Sequence, residues 1–456
     1  MINLFEYQNK EKLKTSFDEL EMFLDEVWYN REKSDYFYGE EDDKVEVQQF
    51  LQFLQKSREI KSNKYVGVIH FENKRINLLP KIFYEPGREY SNNEVQTIHN
   101  HILWLLSYCR KIKFPSYNTP LDSVRSDFFE VLIYLFSKYT RKLLTNAVYQ
   151  QYREIERELP YVKGRINMSR YITENLTRAR WHKLNCTYDP FVLDNEFNRI
   201  IKYVSKMLLS VTTNPDSKKY LSQILFILDE VSDTRASAKK CASIRFNPAL
   251  ADFETVRDYC LLFLDNSISF NYKNDLKLFA FLLPMEYVFE DFIYGFIEKE
   301  VEGVKAISQS SAVHLDEDKT FQLKPDLILE TEEKRIIADT KYKIVYSDEQ
   351  DPKKGISQSD LYQMLSYAVR FKIDEIALFY PDTIQKYQSG HRKIRIKDQF
   401  AEDVNITIRA WQLPVIHRDL LDGLRNRNAY LGEAFQVKTD ELRDRLKRIL
   451  FPHIFE

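Results

Sequence analysis

The sequence has little glycine for its length, and this excludes one large class of enzymes. Only 10 of its 456 residues are glycine, and neither G-x-G-x-x-G nor G-x-x-x-x-G-K-[ST] occurs. Both patterns place glycines where a loop or a helix amino-terminus must cradle the phosphates of a nucleotide. We therefore expect that any nucleotide hydrolysis linked to this protein takes place on a partner chain.

A dominant charge, clustered cysteines and long apolar runs are also missing. The formal net charge is -2, so the total charge does not show the basic face of a protein that binds DNA tightly by itself. The four cysteines form no C-x-x-C pair, which favours a reduced, cytoplasmic compartment over a zinc ribbon or a disulfide framework. No apolar run reaches about 18 residues, so we expect no membrane span.

Apolar patterning predicts an α/β multidomain protein with three segments, at residues 1–115, 116–270 and 271–456. The first is an α+β domain with a β-hairpin, because the apolar runs 66–71 and 75–83 flank a short polar turn. A helix at 94–111 follows it. The second segment is mainly helical, with helices predicted at 122–145, 196–209 and 218–231.

The third segment has a distinctive order of elements, which predicts a mixed sheet with helices. An apolar helix at 284–300 comes first, and a later helix covers 359–371. The strands are predicted at 305–315, 321–330, 334–344, 375–381 and 405–413.

The triplet Asp339-Thr340-Lys341 stands out by its surroundings. Acid-x-Lys triplets recur along this charged chain, so the triplet alone is weak evidence for a functional site. Asp339, however, ends an apolar strand, and alternation points Asp339 and Lys341 to the same face. Charges inside an apolar strand are costly unless they are paired or bind a metal. Asp326 lies beside the apolar run of the preceding strand, so the three side chains converge if the strands pair.

Further residues complete a predicted nuclease site. Glu290 is an acid in the apolar helix before the sheet, and Gln363 and Tyr367 share a face of the later helix. With Pro325-Asp326 and Asp339-x-Lys341, this set resembles the PD-(D/E)xK nuclease superfamily and its RecB-like branch. The resemblance implies Mg²⁺-dependent phosphodiester hydrolysis, with Asp326, Asp339 and Glu290 as metal ligands, Lys341 as the catalytic lysine, and Gln363 and Tyr367 in support. The alternative is a surface ion-pair hairpin.

Segments along most of the chain resemble McrC, the nuclease subunit of modification-dependent McrBC restriction systems. These are VGVIHF with INLLPKIF (66–83), YVKGRINMSRYI (161–172), YDPFVLDNEFNRIIKYV (188–204) and MEYVFEDFIYGFI (285–297). The resemblance implies double-stranded DNA with modified cytosine as substrate. It also implies a hexameric McrB-like AAA+ GTPase as partner, which binds the GTP, docks residues 1–115 and is stimulated by this chain.

Two other patterns could indicate function, and each also has a simpler explanation. Residues 163–183 are rich in basic side chains, with Trp181 among them, and either contact DNA or the partner or form a solvated helix face. The candidates are Lys163, Arg165, Arg178, Arg180 and Lys183. His99 and His101 lie two apart on a helix, so they do not share a face, and we interpret them as surface or core histidines rather than an HNH nuclease motif.

Two other functions remain open from the sequence. A nuclease fold without activity would make the chain a regulator or adaptor of an AAA+ ring. A stand-alone DNA repair nuclease would cut without any partner, although the near-neutral charge speaks against it.

Overall fold

The structure, a computed structural model, describes residues 2–13, 16–30, 50–71, 74–110, 128–271, 277–308, 313–344, 356–385, 391–397, 405–421 and 431–452. The strands, in chain order, are β1 (Ile2–Phe5), β2 (Lys10–Lys12), β3 (Leu51–Leu54), β4 (Glu59–Ser62), β5 (Tyr65–Phe71), β6 (Lys74–Leu79), β7 (Gln151–Tyr152), β8 (Ile155–Leu159), β9 (Arg165–Ile166), β10 (Leu184–Tyr188), β11 (Phe191–Val192), β12 (Ser267–Asn271), β13 (Lys277–Pro284), β14 (Lys305–Ser308), β15 (Val313–His314), β16 (Gln322–Leu323), β17 (Leu327–Glu330), β18 (Arg335–Thr340), β19 (Glu375–Pro381), β20 (His391–Lys397) and β21 (Asn405–Leu413).

The helices are α1 (Phe17–Asn30), α2 (Asn92–Tyr108), α3 (Phe128–Asn146), α4 (Met168–Arg170), α5 (Glu196–Val211), α6 (Pro215–Ile227), α7 (Ala238–Ser243), α8 (Asp252–Asn266), α9 (Met285–Glu300), α10 (Gln358–Phe371), α11 (Arg418–Leu421) and α12 (Leu431–Leu450). Two compact units result, one formed by residues 1–132 with 265–456 and the other by residues 133–264. No helix in the described ranges combines the length and the apolarity needed to cross a lipid bilayer.

The first sheet of the larger unit has the strand order β1-β6-β5-β13-β12. β5 and β6 form the predicted hairpin, with Gly67 opposite Leu78, and β1 runs parallel to β6. Apolar residues of this sheet and of α1 share one core. The predicted helix after the hairpin is α2, which begins with a capping box between Ser91 and Glu94 because each side chain binds the backbone of the other residue.

The second sheet of this unit has the strand order β14-β17-β18-β19-β21-β20. β17 and β18 pair antiparallel, whereas β18, β19 and β21 run parallel, so the sheet is mixed as predicted. The bounds of β19 and β21 match the prediction, and α10 begins one residue earlier than predicted. The predicted strand 305–315 is two short strands, β14 and β15, and β20 is a strand that the sequence did not predict.

The structure groups residues near position 271 differently from the predicted segments. β12 and β13 join the first sheet, where Ala280 of β13 lies opposite Ile69 of β5. β13, which is the last strand of that sheet in chain order, therefore leads directly into α9. The other predicted boundary, at residues 115 and 116, lies outside the described residues. A division into three independently folding domains stays a prediction.

The unit of residues 133–264 contains two predicted helices of the middle segment as α5 and α6, with α7 and α8 in addition. The third, predicted at 122–145, is α3, which spans the division between the two units at residues 132 and 133. Asn195 and Asn214 cap α5 and α6, and Pro215 occupies the first turn of α6, where its missing N–H is not needed. A small sheet with the order β8-β10-β9 was not predicted. Its longest strands have five residues, and β8 (IEREL) is too exposed to show a buried alternating face.

The crossing of α2 and α9 depends on Gly295, and this predicts a specific destabilisation. A methyl group at Gly295 would lie 1.9 Å from the carbonyl oxygen of Tyr108, a backbone atom that cannot move aside alone. We expect Gly295→Ala to lower the free energy of unfolding by about 1–3 kcal/mol through overpacking, as measured by urea denaturation. Gly432→Ala is the control, because no atom lies within 4 Å of its added methyl group; equal stability losses would contradict the prediction.

Candidate functional site

Asp326 and Asp339 are brought opposite each other by an antiparallel pair of strands. Leu327 of β17 lies opposite Ala338 of β18, and continuing this register by one residue places Asp326 opposite Asp339. Directly opposed residues of such a pair lie on the same face of the sheet. Lys341, two residues beyond Asp339, shares that face. The three side chains of the predicted triad therefore converge at the ends of these strands.

Lys341 lies at the centre of a polar network. Its Nζ is 2.7 Å from Oδ2 of Asp339 and donates to Oε1 of Gln363 at 3.2 Å. Gln363 Nε2 donates to the Tyr367 hydroxyl at 2.9 Å, and this hydroxyl donates to the carbonyl oxygen of Lys324 at 2.9 Å. The structure thus places both predicted residues of α10 beside the lysine and ties that helix to the segment that precedes Asp326.

Helix α10 holds this network because its apolar side packs on the sheet. Met364 and Tyr367 belong to one core with Ile337 of β18, which points to the same face as Asp339. The Ser357 side chain caps the start of the helix by accepting from the backbone N–H of Asp360 at 3.1 Å. The packed face thereby positions Gln363 at the edge of the core.

The electrostatics of the site are dominated by the burial of Asp339, which has no exposed surface. Burial and, to a lesser extent, the nearby Asp326 carboxylate raise the pKa of Asp339, Lys341 lowers it, and the balance is a pKa of about 7. Burial lowers the pKa of Lys341, but Asp339 outweighs this and holds the pKa above its ordinary value. Lys341 therefore stays a cation beside a carboxyl group that titrates near neutrality.

Three further residues of the site were not predicted from the sequence. Thr340 donates to Oδ2 of Asp326 through both its backbone N–H and its hydroxyl, each at 2.8 Å. Lys343 Nζ donates to both carboxylate oxygens of Asp360, at 2.9 and 3.0 Å. The spacing of Asp339, Lys341 and Lys343 could have predicted Lys343 as a residue of the site, because all three alternate onto one face. No local pattern indicates Thr340 or Asp360.

The acidic side chains here suit a hard divalent cation. Oδ1 of Asp339 is buried and has no hydrogen-bond partner among the described residues, and the Asp326 carboxylate is close enough to raise the pKa of Asp339. Such an oxygen is costly to bury unless something compensates its charge. Carboxylate oxygens are the ligands that Mg²⁺ takes from proteins. The residues present therefore fit a metal held by Asp326 and Asp339.

Comparison with known proteins decides the family. The family model described as "McrBC 5-methylcytosine restriction system component" matches residues 60–381, which is more than half of the chain and includes every residue of the polar network above. The chain belongs to the McrBC family. The resemblance to McrC noted in the sequence is thereby confirmed.

Two relatives align with this chain over nearly their whole lengths. The type IV methyl-directed restriction enzyme EcoKMcrBC of Escherichia coli (strain K12) is 24% identical over 349 residues, which are 72% of this chain and 96% of the relative. A chain in the assembly of Thermococcus gammatolerans McrB AAA+ hexamers with bound McrC aligns with a TM-score of 0.66 and 17% identity. That alignment covers 98% of this chain and 99% of the other, so the two share a fold.

Glu290, the third predicted ligand of this McrBC-family chain, lies on α9. Its neighbour Phe289 contacts the ring of Tyr342, with 5.8 Å between ring centroids. Within the described parts of the chain, no three residues of the types His, Cys, Asp and Glu are arranged to hold a metal ion. The structure thus does not gather Glu290 with Asp326 and Asp339 into a ready three-acid site, and its role stays a prediction.

The basic residues from 163 to 183 lie in the unit of residues 133–264, around β9 and the short turns after it. Four of the five candidates are exposed, and Lys183 is half-buried with an ion pair to Glu158 at 3.1 Å. Trp181, among them, is 70% exposed. These residues do not form one face of a helix, because only Arg178 of the five lies in the helical turns of residues 168–178. Contact with DNA or a partner stays a prediction.

The two histidines of the His-Asn-His stretch are buried in the core, as one of the two sequence interpretations held. His101 binds the Thr97 carbonyl through Nδ1 at 2.7 Å and accepts at Nε2 from the backbone N–H of His417 at 2.9 Å. Burial lowers the pKa of His101 to about 3 and that of His99 likewise. Both are neutral structural residues.

Asp339 makes the stability of the metal-free protein depend on pH. Its pKa is about 7 in the folded chain and 3.8 ordinarily, so between these values the folded chain holds a proton that the unfolded chain has released. Stability therefore falls as the pH rises through this window. We expect Asp339→Asn to unfold at a higher temperature than the wild type at about pH 8 in EDTA, and the difference to shrink toward about pH 5. Calorimetry at both pH values measures this difference in unfolding temperature. A difference that does not depend on pH would count against assigning the pH dependence to Asp339.

Proposed function

We propose that this chain is the nuclease subunit of a McrBC-type restriction system and hydrolyses DNA phosphodiester bonds with Mg²⁺ at Asp326, Asp339 and Lys341. The observation that carries the proposal is the buried Asp339 carboxylate, which has an oxygen without a hydrogen-bond partner in the described residues, beside a second carboxylate and a lysine. An ion-pair hairpin on the surface would not bury this carboxylate. Membership of the McrBC family supports the same conclusion.

The six-stranded mixed sheet with α9 and α10 supports an assignment to the PD-(D/E)xK superfamily. The acid of one strand, the acid-x-Lys of the next and the Gln/Tyr helix follow one another in the order that the resemblance to this superfamily implies. We propose residues 271–456 as the segment that carries the nuclease, with β12 and β13 shared with the first sheet.

Each side chain has a distinct role in the proposed reaction. Asp326 and Asp339 would hold Mg²⁺, with Glu290 as a further ligand, and the cation would supply polarisation of the scissile phosphate and a lowered pKa of a water. Thr340 orients Asp326 through two hydrogen bonds. The Lys341 ammonium faces the negative charge that develops on the phosphate and stabilises it.

Gln363 and Tyr367 maintain the lysine in this position. Gln363 accepts from Lys341 and donates to Tyr367, so its amide orientation is determined at both ends. Removing such a supporting contact typically lowers metal affinity or activity about 10- to 100-fold. We propose both as positioning residues.

We also propose the partner and the substrate. The structural relative is an assembly of McrB AAA+ hexamers with bound McrC, and this sequence lacks its own phosphate-binding loop. A hexameric McrB-like AAA+ GTPase therefore supplies GTP hydrolysis and recognition, with residues 1–115 in contact with it. The family description points to DNA with 5-methylcytosine as the target. The exposed basic residues from Lys163 to Lys183 are proposed to contact the DNA or the partner.

Cleavage tests the catalytic assignment directly. We expect Asp339→Ala and Lys341→Ala, each combined with the cognate GTPase, GTP and Mg²⁺, to cut methylated DNA at least about 100-fold more slowly than the wild type. GTP hydrolysis by the complex is the control and should persist, because the nuclease site does not bind GTP. Normal cutting by Asp339→Ala would refute the assignment. A wild-type complex that hydrolyses GTP but never cuts would instead favour the regulatory function.

Metal binding is testable without any cleavage. Since a ligand that binds only the folded state stabilises it, millimolar Mg²⁺ should raise the unfolding temperature of the wild type. Glu330→Gln is the matched control, because this acid lies on the same hairpin and pairs with Arg335 at 3.0 Å. We expect a shift for the wild type and the control but none for Asp339→Asn. An equal shift in all three would place the metal elsewhere.

A further inference from the structure

The segment from Asp339 to Lys343 has a second face, opposite the nuclease site. Tyr342 alternates onto that face, and its hydroxyl donates to Oε2 of Glu6 at 3.1 Å. Tyr342 and Glu6 are separated by 336 residues along the chain.

Glu6 comes from the amino-terminal end of the protein and is itself held firmly. It follows β1 directly, its backbone N–H donates to the Leu79 carbonyl at 3.0 Å, and only 1% of its surface is exposed. The same Oε2 that accepts from Tyr342 also accepts from the backbone N–H of Lys81 at 3.1 Å. One carboxylate oxygen thereby joins the first sheet to the segment that carries Lys341.

The surroundings of this contact are closely packed. Lys81 Nζ lies 4.5 Å from the centroid of the Tyr342 ring, and the centroid of the Phe289 ring lies 5.8 Å from it. Burial and, more weakly, Glu286 at the start of α9 raise the pKa of Glu6, Lys81 and Tyr342 lower it, and the balance is a pKa of about 7. A carboxyl group in such a place is costly to bury, and apolar side chains of similar size would often be more stable. Stability alone therefore does not explain its presence.

We infer that Glu6 and Tyr342 are positioning residues of the nuclease, which hold Lys341 in place from behind through the backbone of residue 342. The inference rests on the proposed function, since it assumes that Lys341 acts on the phosphate. The backbone N–H of Lys341 already binds the Phe379 carbonyl at 2.8 Å, so its position is set on one side by β19. The Glu6–Tyr342 hydrogen bond sets the position of the residue that follows.

The effect of losing this contact follows from the geometry. Lys341 contacts Asp339 and Gln363 at 2.7 and 3.2 Å, and small displacements of its backbone change both distances. Misplacing a catalytic group by about 1 Å can slow a reaction about 100-fold. A single hydrogen bond at the neighbouring residue should act more weakly, so we expect a decrease in kcat of about 5- to 30-fold.

The test uses the complex of the full chain with its GTPase, methylated DNA, GTP and Mg²⁺. Tyr342→Phe removes the donor hydroxyl and keeps the ring, and Glu6→Met removes both acceptor oxygens at a similar side-chain length. We expect each to lower kcat for cutting about 5- to 30-fold, with KM for DNA and the GTPase rate unchanged. Because both act through one hydrogen bond, the double variant should be no slower than the slower single variant.

Tyr294→Phe is the matched control. Tyr294 also has a buried hydroxyl, which donates to the Ala306 carbonyl at 2.8 Å, and within the described residues it makes no hydrogen bond or ring contact to residues 339–343. The control should lose comparable stability in thermal unfolding and keep its kcat. A purely structural role would make Tyr342→Phe behave like the control.

Each outcome separates this inference from the proposed function. An unchanged kcat in Tyr342→Phe, or multiplicative losses in the double variant, overturns the positioning role, provided that Asp339→Ala is inactive. If Asp339→Ala still cuts, the proposed function itself fails. If Glu6→Met does not fold, the comparison of Tyr342→Phe with Tyr294→Phe still decides the matter.

Discussion

The burial of one carboxylate, that of Asp339, determines how the rest of this site is arranged. A charge without exposed surface is unfavourable in an apolar sheet, and the neighbouring Asp326 makes it more so. Lys341 offsets part of this, and a divalent cation would offset the remainder. Without a metal, the folded chain is therefore less stable than its packing alone would make it, which is common where a binding site is preformed.

The elements around Asp339 can be understood as supports for that arrangement. The core on one face of the sheet anchors α10, which brings Gln363 and Tyr367 to Lys341. Thr340 holds Asp326, and Glu6 holds Tyr342 from behind. Side chains that must keep a geometry within a fraction of an ångström need such a surrounding set of contacts. The supports come from α10, from β18 and from β1, so no single local motif contains the site.

Alternation along β18 was enough to predict from the sequence that Asp339 and Lys341 share a face, and the hairpin length placed Asp326 nearby. The helical period likewise placed Gln363 and Tyr367 together. What could not be predicted depends on contacts between distant residues. The contact of Glu6 with Tyr342 leaves no periodic signal, and neither does the pairing of β13 with β5. The strands of the small sheet were missed because they are short and exposed, which removes the alternation on which strand prediction depends.

The proposed nuclease segment shares the first sheet with the start of the chain. Residues 280–283 of β13 are almost fully buried, and their backbone pairs with β5 near the start of the chain. Separated from β5, this apolar strand would expose an unpaired edge, which is unfavourable and promotes aggregation. β13 leads without a linker into α9, the helix that carries Glu290 and packs on β18. The amino-terminal sheet is therefore part of the scaffold of the proposed nuclease site, and its backbone is continuous through β13 with the helix that packs beside that site.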